Sequence, residues 1–572
     1  RTLALISANL SSLCLIAQIQ TGELPPSISG QTEKANSSSH TMKLSDPDLT
    51  ALQAEDAVTD QHKDIAWRFG TVVNVSYSLQ NSGEWNHDDN EGISTWKLKI
   101  SFQQAQSINL NFNYFKLSSN AKLFVYNDNY SDVLGAITSK NNKADRQFSI
   151  RPIKGNSITL ELIVPQAELE TNSVSINEII YGYRSIHEKV QKVFQSSGGC
   201  NININCEEGK NWQDVKRSVA MILSASNSRI CTGTLINNVR QDSTPYFLTA
   251  AHCSVRNNSV VVFGYESALC NPNTDGVLSN SISGSSRKAI SVNFGSDFEL
   301  RELSSTPPAS YNVYYAGWNR ANAAATASVG IHHPTGDVKK ISIDNDALTS
   351  GSYYSNGTSN SHWVVGNWEK GTTESGSSGS ALFDLNQRII GQLEGGTASC
   401  RDNLSDLYGK FSRSWDFSAD MSRQLKHWLD PDNTGAIVLN GLDPNPSNYS
   451  NDLSLIDVEG IPEFACTQSI QPTFRIKNVG GSSVDSLIFE YELNGSPLTP
   501  ISMNNTINKE GVISVTIPSL NLQSGINQLK YSVRILGQAD QNLINNSDSV
   551  SFTINTSTNE LLNVTLKTDD YG

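Results

Sequence analysis

Hydrophobic and polar residues alternate over the N-terminal part of the chain. Between about residues 43 and 188, apolar side chains recur at every second position, as in Trp96–Phe102, Ile108–Phe112 and Ile158–Val164, and clusters of Asn, Asp and Gly interrupt these runs. Successive side chains of a strand point to opposite faces, so this period is typical of half-buried antiparallel strands. We therefore predict a β-sandwich in this region.

The same alternation returns near the C-terminus, over residues 453–556. It is clearest in Phe489–Leu493, Leu529–Ile535 and Val550–Ile554, and Asn494-Gly495 predicts a hairpin turn after the first of these runs. Roughly a hundred residues of short alternating strands indicate an immunoglobulin-like β-sandwich.

The middle region, residues 193–443, contains most of the glycines and six of the eight cysteines. One helix is predicted near its end, because Met421, Leu425, Trp428 and Leu429 share a helical face and Pro431 would end it. No CxxC pair occurs, so an even set of six cysteines indicates disulfides and export rather than zinc or redox use. Cys466 lies apart, either buried as a small apolar residue, which we favour, or paired outside this chain.

The N-terminus and the net charge limit the partners. Leu3–Ala17 is an apolar run too short to cross a bilayer, so we interpret it as a signal-peptide remnant, and Cys14 follows Leu13 rather than the small residue a lipid anchor needs. No other segment is apolar enough to span a membrane. A net charge of −14 disfavours nucleic acid and anionic membranes. We expect a secreted monomer without cofactor or metal.

The composition shifts divide the chain into segments. The predicted segments are a signal-peptide remnant (1–20), a linker (21–42), a β-rich segment (43–192), a segment rich in cysteine and glycine (193–443), a linker (444–452), a β-sandwich (453–556) and a tail (557–572) that indicates further chain beyond it.

Two short stretches of the middle region carry candidate chemistry. Thr373–Asp384 holds Gly376-Ser-Ser-Gly-Ser380, which is either a flexible surface loop or a nucleophile loop whose glycines aim backbone N–H groups beside Ser378. Tyr246–Cys253 is an apolar strand that ends at His252. The other histidines have less informative settings: His332 and His333 indicate a turn with solvent or backbone partners, and His362 lies in a polar loop with an expected surface role.

Together these stretches resemble the chymotrypsin-like serine proteases, and residues 200–443 resemble the bacterial lysyl endopeptidases. The motifs that carry this resemblance are Cys231-Thr-Gly-Thr-Leu235, Leu248-Thr-Ala-Ala-His-Cys253, Gly376-Ser-Ser-Gly379, Cys200–Cys206, Ala316–Arg320, Ile331–Pro334, Gly391–Gly396 and His427–Gly435. The resemblance implies a two-barrel, all-β protease domain. It also implies a triad in which Ser378 is the nucleophile, His252 the base and Asp297, otherwise a turn residue, the orienting carboxylate.

The resemblance implies further roles. The N–H groups of Gly376 and Ser378 would form the oxyanion hole, where one donor contributes about 3 kcal/mol. The implied disulfides are Cys200–Cys400, Cys206–Cys270 and Cys231–Cys253, although six cysteines alone allow fifteen pairings.

The chain departs from the trypsin pattern at two positions that precede Ser378. Ser377 occupies the position of the aspartate that binds a new N-terminus in trypsins, so activation cannot use that salt bridge. We expect instead that residues 43–192 are a propeptide, removed from the catalytic domain (193–443) at Lys189 or Lys192 by self-cleavage in an exposed linker. Thr372 stands where trypsins have their specificity carboxylate. Resemblance to the lysyl endopeptidases transfers that role to Asp406, whose alternative is a surface acid.

A second departure is Glu394, where those relatives have histidine. Gly395 and Gly396 on the same strand are expected to bind the substrate backbone. We expect Glu394 to lie close to Asp297 and to affect the pH profile, so that Glu394→His raises activity on the alkaline side; the alternative is an inert, solvent-facing residue.

The resulting hypothesis is a secreted serine endopeptidase that cleaves after Lys in protein or peptide substrates. Arg or mixed specificity is one alternative. Another is a catalytically silent protein that uses its β-modules to bind cell-surface or extracellular polymer, a role also conceivable for the C-terminal module of an enzyme.

Overall fold

The computed structural model describes most of the chain. It covers residues 23–29, 41–184, 197–224, 228–268, 270, 275–291, 295–355, 357–402, 404–444, 449–461, 464–465, 469–509, 511–541 and 543–554. Clustering separates two compact units, Arg1–Pro444 and Asn445–Gly572. Within the described ranges, no helix is both long and apolar enough to cross a membrane. The predictions for Leu3–Ala17, Cys14, Lys189, Lys192 and Cys466 fall outside the described residues.

Helices are few in the described chain. The α-helices are α1 (Pro26–Ser29), α2 (Thr50–Thr59), α3 (Phe411–Asp416) and α4 (Lys426–Leu429). Short 3-10 turns are formed by Ser139–Asn141, Gln166–Thr171, Glu207–Trp212, Val215–Ser218, Ala251–Cys253, Ala309–Tyr311, Pro334–Gly336, Met421–Arg423 and Leu543–Asn545.

The N-terminal domain is a β-sandwich. Its strands are β1 (Thr41–Lys43), β2 (Trp67–Arg68), β3 (Gly70–Ser78), β4 (Glu84–Asp88), β5 (Ile93–Ser101), β6 (Ser107–Lys116), β7 (Lys122–Asn127), β8 (Val133–Ile137), β9 (Phe148–Ser149), β10 (Ile153–Lys154), β11 (Ser157–Pro165) and β12 (Ser173–Gly182). One sheet has the order β1-β5-β11-β7-β8, with β4 on β5; the other has the order β10-β6-β12-β3, with β9 on β6.

The alternating apolar residues form the core between these two sheets. Leu98 of β5 pairs with Leu160 of β11, and both side chains are fully buried, as is Leu110 of β6. The same core continues into the catalytic domain through Met221 and Ile230. Burial of one face of each strand therefore explains the period of two.

Helix α2 contradicts the expectation of strands throughout this region. Its sequence, Thr-Ala-Leu-Gln-Ala-Glu-Asp-Ala-Val-Thr, is rich in helix-forming residues, and Asp48 Oδ1 accepts a hydrogen bond from the Thr50 N–H at its start (2.9 Å). Helix α1 likewise lies within the segment predicted as a linker.

The catalytic domain is built on two sheets. Its strands are β13 (Ile202–Asn203), β14 (Val219–Leu223), β15 (Arg229–Leu235), β16 (Tyr246–Ala250), β17 (Val260–Phe263), β18 (Ser281–Ser283), β19 (Ser285–Ile290), β20 (Phe298–Leu303), β21 (Gly317–Asn319), β22 (Ser328–His332), β23 (Lys340–Asp344), β24 (Thr349–Gly351), β25 (His362–Val365), β26 (Ala381–Phe383), β27 (Arg388–Gly396), β28 (Asp406–Lys410) and β29 (Val438–Leu439). The first sheet has the order β18-β17-β14-β15-β16-β20-β19, and β2 of the N-terminal domain pairs with β15. The second has the order β13-β23-β22-β26-β27-β28-β25-β24, and β21 joins β27 to β29.

An apolar core joins the two sheets of the catalytic domain. Leu248 and Leu300 from the first sheet pack in the same cluster as Ile331 and Ile389 from the second, and all four are fully buried. The loops at the strand ends between the sheets are thereby held in fixed positions, and the candidate site is formed by these loops.

The helix predicted over Met421–Leu429 is interrupted. Met421–Arg423 forms a 3-10 turn, Gln424 is extended, and α4 begins at Lys426. Leu425 and Leu429 are fully buried, whereas Met421 is largely exposed. The helical spacing therefore identified two buried anchors but not a continuous helix.

The C-terminal unit contains the expected alternating strands. They are β30 (Leu453–Glu459), β31 (Phe464–Ala465), β32 (Ser469–Ile470), β33 (Thr473–Asn478), β34 (Leu487–Leu493), β35 (Ser496–Pro497), β36 (Ile501–Met503), β37 (Val512–Thr516), β38 (Leu520–Asn521), β39 (Gly525–Ile535) and β40 (Ser547–Ile554). Asn494 and Gly495 both have positive φ (52° and 79°) in the hairpin turn between β34 and β35. The immunoglobulin-like topology of this unit stays a prediction.

Candidate active site

Neighbouring strands of the first sheet bring His252 and Asp297 together. Strand β16 pairs antiparallel with β20, and Ala250 faces Phe298, so the end of β16 and the start of β20 lie at the same edge. His252 follows β16 and Asp297 precedes β20. His252 Nδ1 lies 2.6 Å from Asp297 Oδ2. The carboxylate can therefore fix which imidazole nitrogen carries the proton.

The backbone of Asp297 is held in an unusual conformation. Its φ is 52°, in the left-handed region that non-glycine residues rarely adopt. The Ala251 N–H donates to the Asp297 carbonyl (2.9 Å), and the His252 N–H donates to Asp297 Oδ1 (3.1 Å). These bonds orient the carboxylate toward the imidazole. Strain that the surrounding structure maintains in this way is typical of functional sites.

Glycines shape the loop that carries Ser378. Gly376 and Gly379 have positive φ (95° and 81°), and a Cβ on Gly379 would stand 2.2 Å from Thr249 Oγ1. The Ser377 and Gly379 N–H groups donate to Glu374 and Leu393 carbonyls. The N–H groups predicted to form the oxyanion hole, those of Gly376 and Ser378, alternate with these two.

The nucleophile loop is tied to the first sheet beside His252. The Thr232 N–H donates to the Ser378 carbonyl (2.9 Å), and Thr232 Oγ1 donates to the Gly376 carbonyl (2.9 Å). The Cys231–Cys253 disulfide joins β15 to the turn that contains His252. The other two disulfides are Cys200–Cys400 and Cys206–Cys270, so the structure forms the three pairs that the resemblance implied. Loops from two sheets are thus fixed relative to one another.

Ser378 and His252 both face a segment of the N-terminal domain. Ser378 Oγ donates a hydrogen bond to the backbone carbonyl of Lys63. Within the described chain, His252 Nε2 is buried without a hydrogen-bond partner. Burial lowers the pKa of His252, but the charge and hydrogen bond of Asp297 outweigh it, so the net pKa is raised.

Asp406 is buried beside the nucleophile loop, which it contacts through Thr373. Its side chain is fully buried, and Oδ1 lies 2.6 Å from the Lys63 ammonium. Its other oxygen, Oδ2, accepts hydrogen bonds from Trp368 Nε1 (2.8 Å) and Thr373 Oγ1 (2.6 Å). The alternative of a surface acid is therefore wrong for Asp406.

Gly395 and Gly396 lie close to Asp406 and to the segment that contains Lys63. A Cβ on Gly396 would stand 2.3 Å from Asp406 Oδ1, and one on Gly395 would stand 3.3 Å from the backbone nitrogen of Asp64. Side chains at these positions would therefore obstruct the pocket and the segment that enters it.

Glu394 and His362 form a buried pair that the sequence did not reveal. His362 Nε2 lies 2.5 Å from Glu394 Oε2, and both side chains are about 5% exposed or less. The expected surface role of His362 and the solvent-facing alternative for Glu394 are both wrong. Burial raises the pKa of Glu394, the His362 hydrogen bond opposes this, and the charge of Asp297 adds to it.

His332 contacts Ser377, the residue that precedes the nucleophile. Its Nδ1 lies 2.8 Å from Ser377 Oγ, and its Nε2 lies 3.0 Å from Ser342 Oγ. His332 and His333 are fully buried, so neither faces solvent as the turn prediction allowed; His333 Nδ1 contacts the Asp337 carbonyl. Burial holds the pKa of His332 well below its usual value and lowers that of His333 to about 3. The contact between His332 and Ser377 is therefore one between uncharged side chains.

Sequence reasoning missed Lys63 and His362. Lys63 lies in a polar stretch with no motif, and nothing local marks it as a partner of Asp406. His362 begins the apolar run His-Trp-Val-Val, which forms β25 and pairs with β28. That run was the available signal that His362 starts a buried strand.

Comparison with known proteins agrees with this geometry. Residues 194–411 match the family described as lysyl endopeptidase, C-terminal domain. The chain is 29% identical over 306 residues to a lysyl endopeptidase of Pseudomonas aeruginosa strain PAO1, and the match covers 48% of this chain and 64% of that protein. The chain is thus lysyl endopeptidase-like in its catalytic region.

Solved structures resemble parts of the chain more distantly. The secreted serine protease VesC from Vibrio cholerae is 11% identical, with coverage of 59% of this chain and 69% of that one and a TM-score of 0.26. A Glu endopeptidase is 18% identical, with coverage of 34% and 85% and a TM-score of 0.24. The fold is mostly β, and this description rests on the strands and sheets of the structure itself.

Proposed function

We propose that this lysyl endopeptidase-like chain is a secreted serine endopeptidase that cleaves peptide bonds after lysine. The observation that carries the proposal is the position of Lys63, a lysine of the chain itself. Its ammonium binds Asp406 while its carbonyl contacts the Ser378 hydroxyl. One residue therefore spans the specificity pocket and the nucleophile, as the residue before a scissile bond must.

The chemistry follows from the positions of the three side chains. Ser378 Oγ would attack the carbonyl carbon of the substrate lysine. His252 Nε2 would take the proton of the serine hydroxyl and give it to the leaving amine. Asp297 keeps the other imidazole proton on Nδ1. The N–H groups of Gly376 and Ser378 would bind the oxyanion. Water would then hydrolyse the acyl-enzyme by the same proton route.

The hydrogen bonds in the pocket favour lysine over arginine. A guanidinium is bound best by two carboxylate oxygens side by side. Here Asp406 Oδ2 already accepts from Trp368 and Thr373, which leaves Oδ1 for a single ammonium. Thr373 Oγ1 lies 2.7 Å from the same ammonium. A compact point charge matches this set of acceptors.

A peptide library tests this specificity. We expect the processed enzyme to cleave after Lys, and Asp406→Asn to lower kcat/KM for Lys peptides by at least about 10²-fold, because the buried ammonium loses its counter-charge. Asp402→Asn, which removes an exposed acid nearby, is the matched control and should behave as wild type. Equal cleavage after Lys and Arg would favour the mixed specificity. Unchanged Lys cleavage by Asp406→Asn would contradict the assignment.

Labelling with a fluorophosphonate tests whether the protein is an enzyme at all. We expect the processed protein to be labelled on Ser378, and labelling to be lost in Ser378→Ala. A folded, processed protein that resists the reagent would favour the silent binding protein. The three disulfides are consistent with an extracellular location. The monomeric state and the polymer-binding role of the C-terminal unit stay predictions.

A further inference from the structure

The segment between α2 and β2 contacts the candidate active site through several of its residues. We call residues 60–66 the Lys63 loop. Besides the contacts of Lys63 with Ser378 and Asp406, the Ile65 carbonyl accepts from Ser375 Oγ (3.0 Å). The Ala66 carbonyl accepts from Arg229 Nη1 (2.5 Å). Lys63, Ile65 and Ala66 therefore contact the nucleophile, the nucleophile loop and the strand that contains Cys231, respectively.

Lys63 is unusually buried for a lysine. It is 4% exposed, and its ammonium is bound by Asp406 and Thr373. Burial lowers its pKa, and the charge of Asp406 opposes this. A buried ammonium is stable only with such a partner. The pocket that would bind a substrate lysine is therefore filled.

Both flanks of the loop are held by other contacts. After the loop, β2 pairs with β15, and the Arg68 guanidinium binds Glu55 (2.6 Å) and Asp56 (3.2 Å) of α2. At the start of the loop, Asp60 binds Arg184 (2.5 Å). The ion pairs of Arg68 with Glu55 and Asp56 connect the two flanks of the loop across its base. The loop can therefore leave the site only if contacts of the N-terminal domain also break.

We propose that the Lys63 loop is a built-in inhibitor that occupies the enzyme's own specificity pocket as a substrate-like lysine. This inference rests on the proposed function and names its regulation. A Lys peptide and the Lys63 loop compete for Asp406 and Ser378, so substrate enters only after the loop is displaced. The N-terminal domain thus acts as an inhibitor through one side chain, in addition to packing on the catalytic domain.

Active-site labelling of the intact chain tests the proposal. Full-length wild type, Lys63→Ala and Lys43→Ala are treated with a fluorophosphonate, and labelling is measured only on molecules of intact mass. Lys43→Ala is the matched control because Lys43 is an exposed lysine of the same domain. We expect Lys63→Ala to be labelled roughly tenfold faster than the other two, because the fraction of open sites rises. Equal rates for all three, with native circular dichroism and disulfides, would overturn the proposal.

A second measurement needs no change in the loop. In the Ser378→Ala chain, which cannot cut itself through this serine, lysines are acetylated with a limiting amine reagent and mapped by mass spectrometry. We expect Lys63 to react roughly tenfold more slowly than Lys43 while it occupies the pocket, and Asp406→Asn to remove much of that protection. Equal reactivity of Lys63 and Lys43 in a folded chain would overturn the proposal.

The outcome is separable from the proposed function. If the processed enzyme cleaves after Lys but Lys63→Ala does not speed labelling, the inhibitor is wrong and the protease stands. If Lys63→Ala speeds labelling but no preparation cleaves after Lys, the loop blocks the site and the assigned specificity is wrong.

Discussion

In the described part of the catalytic domain, two histidine–carboxylate pairs have nearly the same contact distance. His252 Nδ1 lies 2.6 Å from Asp297, and His362 Nε2 lies 2.5 Å from Glu394. The pairs differ in the second imidazole nitrogen. Nδ1 of His362 contacts Ser361 Oγ at 2.8 Å, whereas Nε2 of His252 has no hydrogen-bond partner in the described chain.

A short contact with a carboxylate does not by itself make a histidine a catalytic base. A base needs a nitrogen that can accept a proton from the reacting group. The second nitrogen of His252 is available for that role. Both nitrogens of His362 are engaged, so His362 can only position Glu394 and stabilise the strands that carry the pair.

The largest expected difference between the pairs is in turnover. Asp297→Asn should lower kcat on a Lys peptide by about 10⁴-fold, because the imidazole loses the group that holds its productive tautomer. Glu394→Gln should reduce kcat far less. Thermal unfolding of both variants checks that they fold. Comparable losses from both substitutions would mean that the two pairs share the catalytic role.

We expect the free energy of unfolding to rank the two pairs in the opposite order, with the larger loss for the His362–Glu394 pair. His362→Ala leaves Glu394 buried without its partner, which should destabilise the catalytic domain by about 3–5 kcal/mol. Removal of both groups in His362→Ala/Glu394→Ala should recover part of this loss. Denaturant unfolding in the Ser378→Ala background avoids self-digestion. If the double variant were no more stable than the single one, an uncompensated charge would not be the cause.

The smallest effect should be a shift in the pH profile. Burial lowers the pKa of His252, and Asp297 raises it by more. The charge of ionised Glu394 adds a smaller increase in the same direction as Asp297. The base form of His252 exists above that pKa, so removing the charge should lower the pKa and extend activity to lower pH. We expect the acid limb of kcat/KM for Glu394→Gln to move by a fraction of a pH unit.

Asp402→Asn serves as the control for this shift, and superimposable profiles would show that the two pairs are electrostatically independent. The contact with His362 also changes what we expect of Glu394→His, which the sequence predicted to raise activity on the alkaline side. Loss of the carboxylate should act mainly on the acid limb, rather than on the alkaline side.

Local pattern was sufficient for the strands and for the order of the catalytic motifs. The alternation in Trp96–Phe102 and Ile158–Val164 predicts strands because one face of each is buried. His252, Asp297 and Ser378 could be chosen because the motifs around them resemble, in sequence and order, those of the chymotrypsin-like serine proteases. The period of two predicted for residues 43–188 as a whole does not hold in helix α2, whose residues have an intrinsic helical preference.

The mostly β character, the even number of cysteines typical of exported proteins and the residues of the candidate triad could all be predicted from the sequence alone. Each of these depends on neighbours in the chain or on a motif of contiguous residues. Only the tertiary structure decided that Lys63 binds Asp406 across a sequence separation of 343 residues and that His362 meets Glu394 across 32. Such partners are selected by how sheets and domains pack, and a buried charge carries no local mark of the distant group that neutralises it.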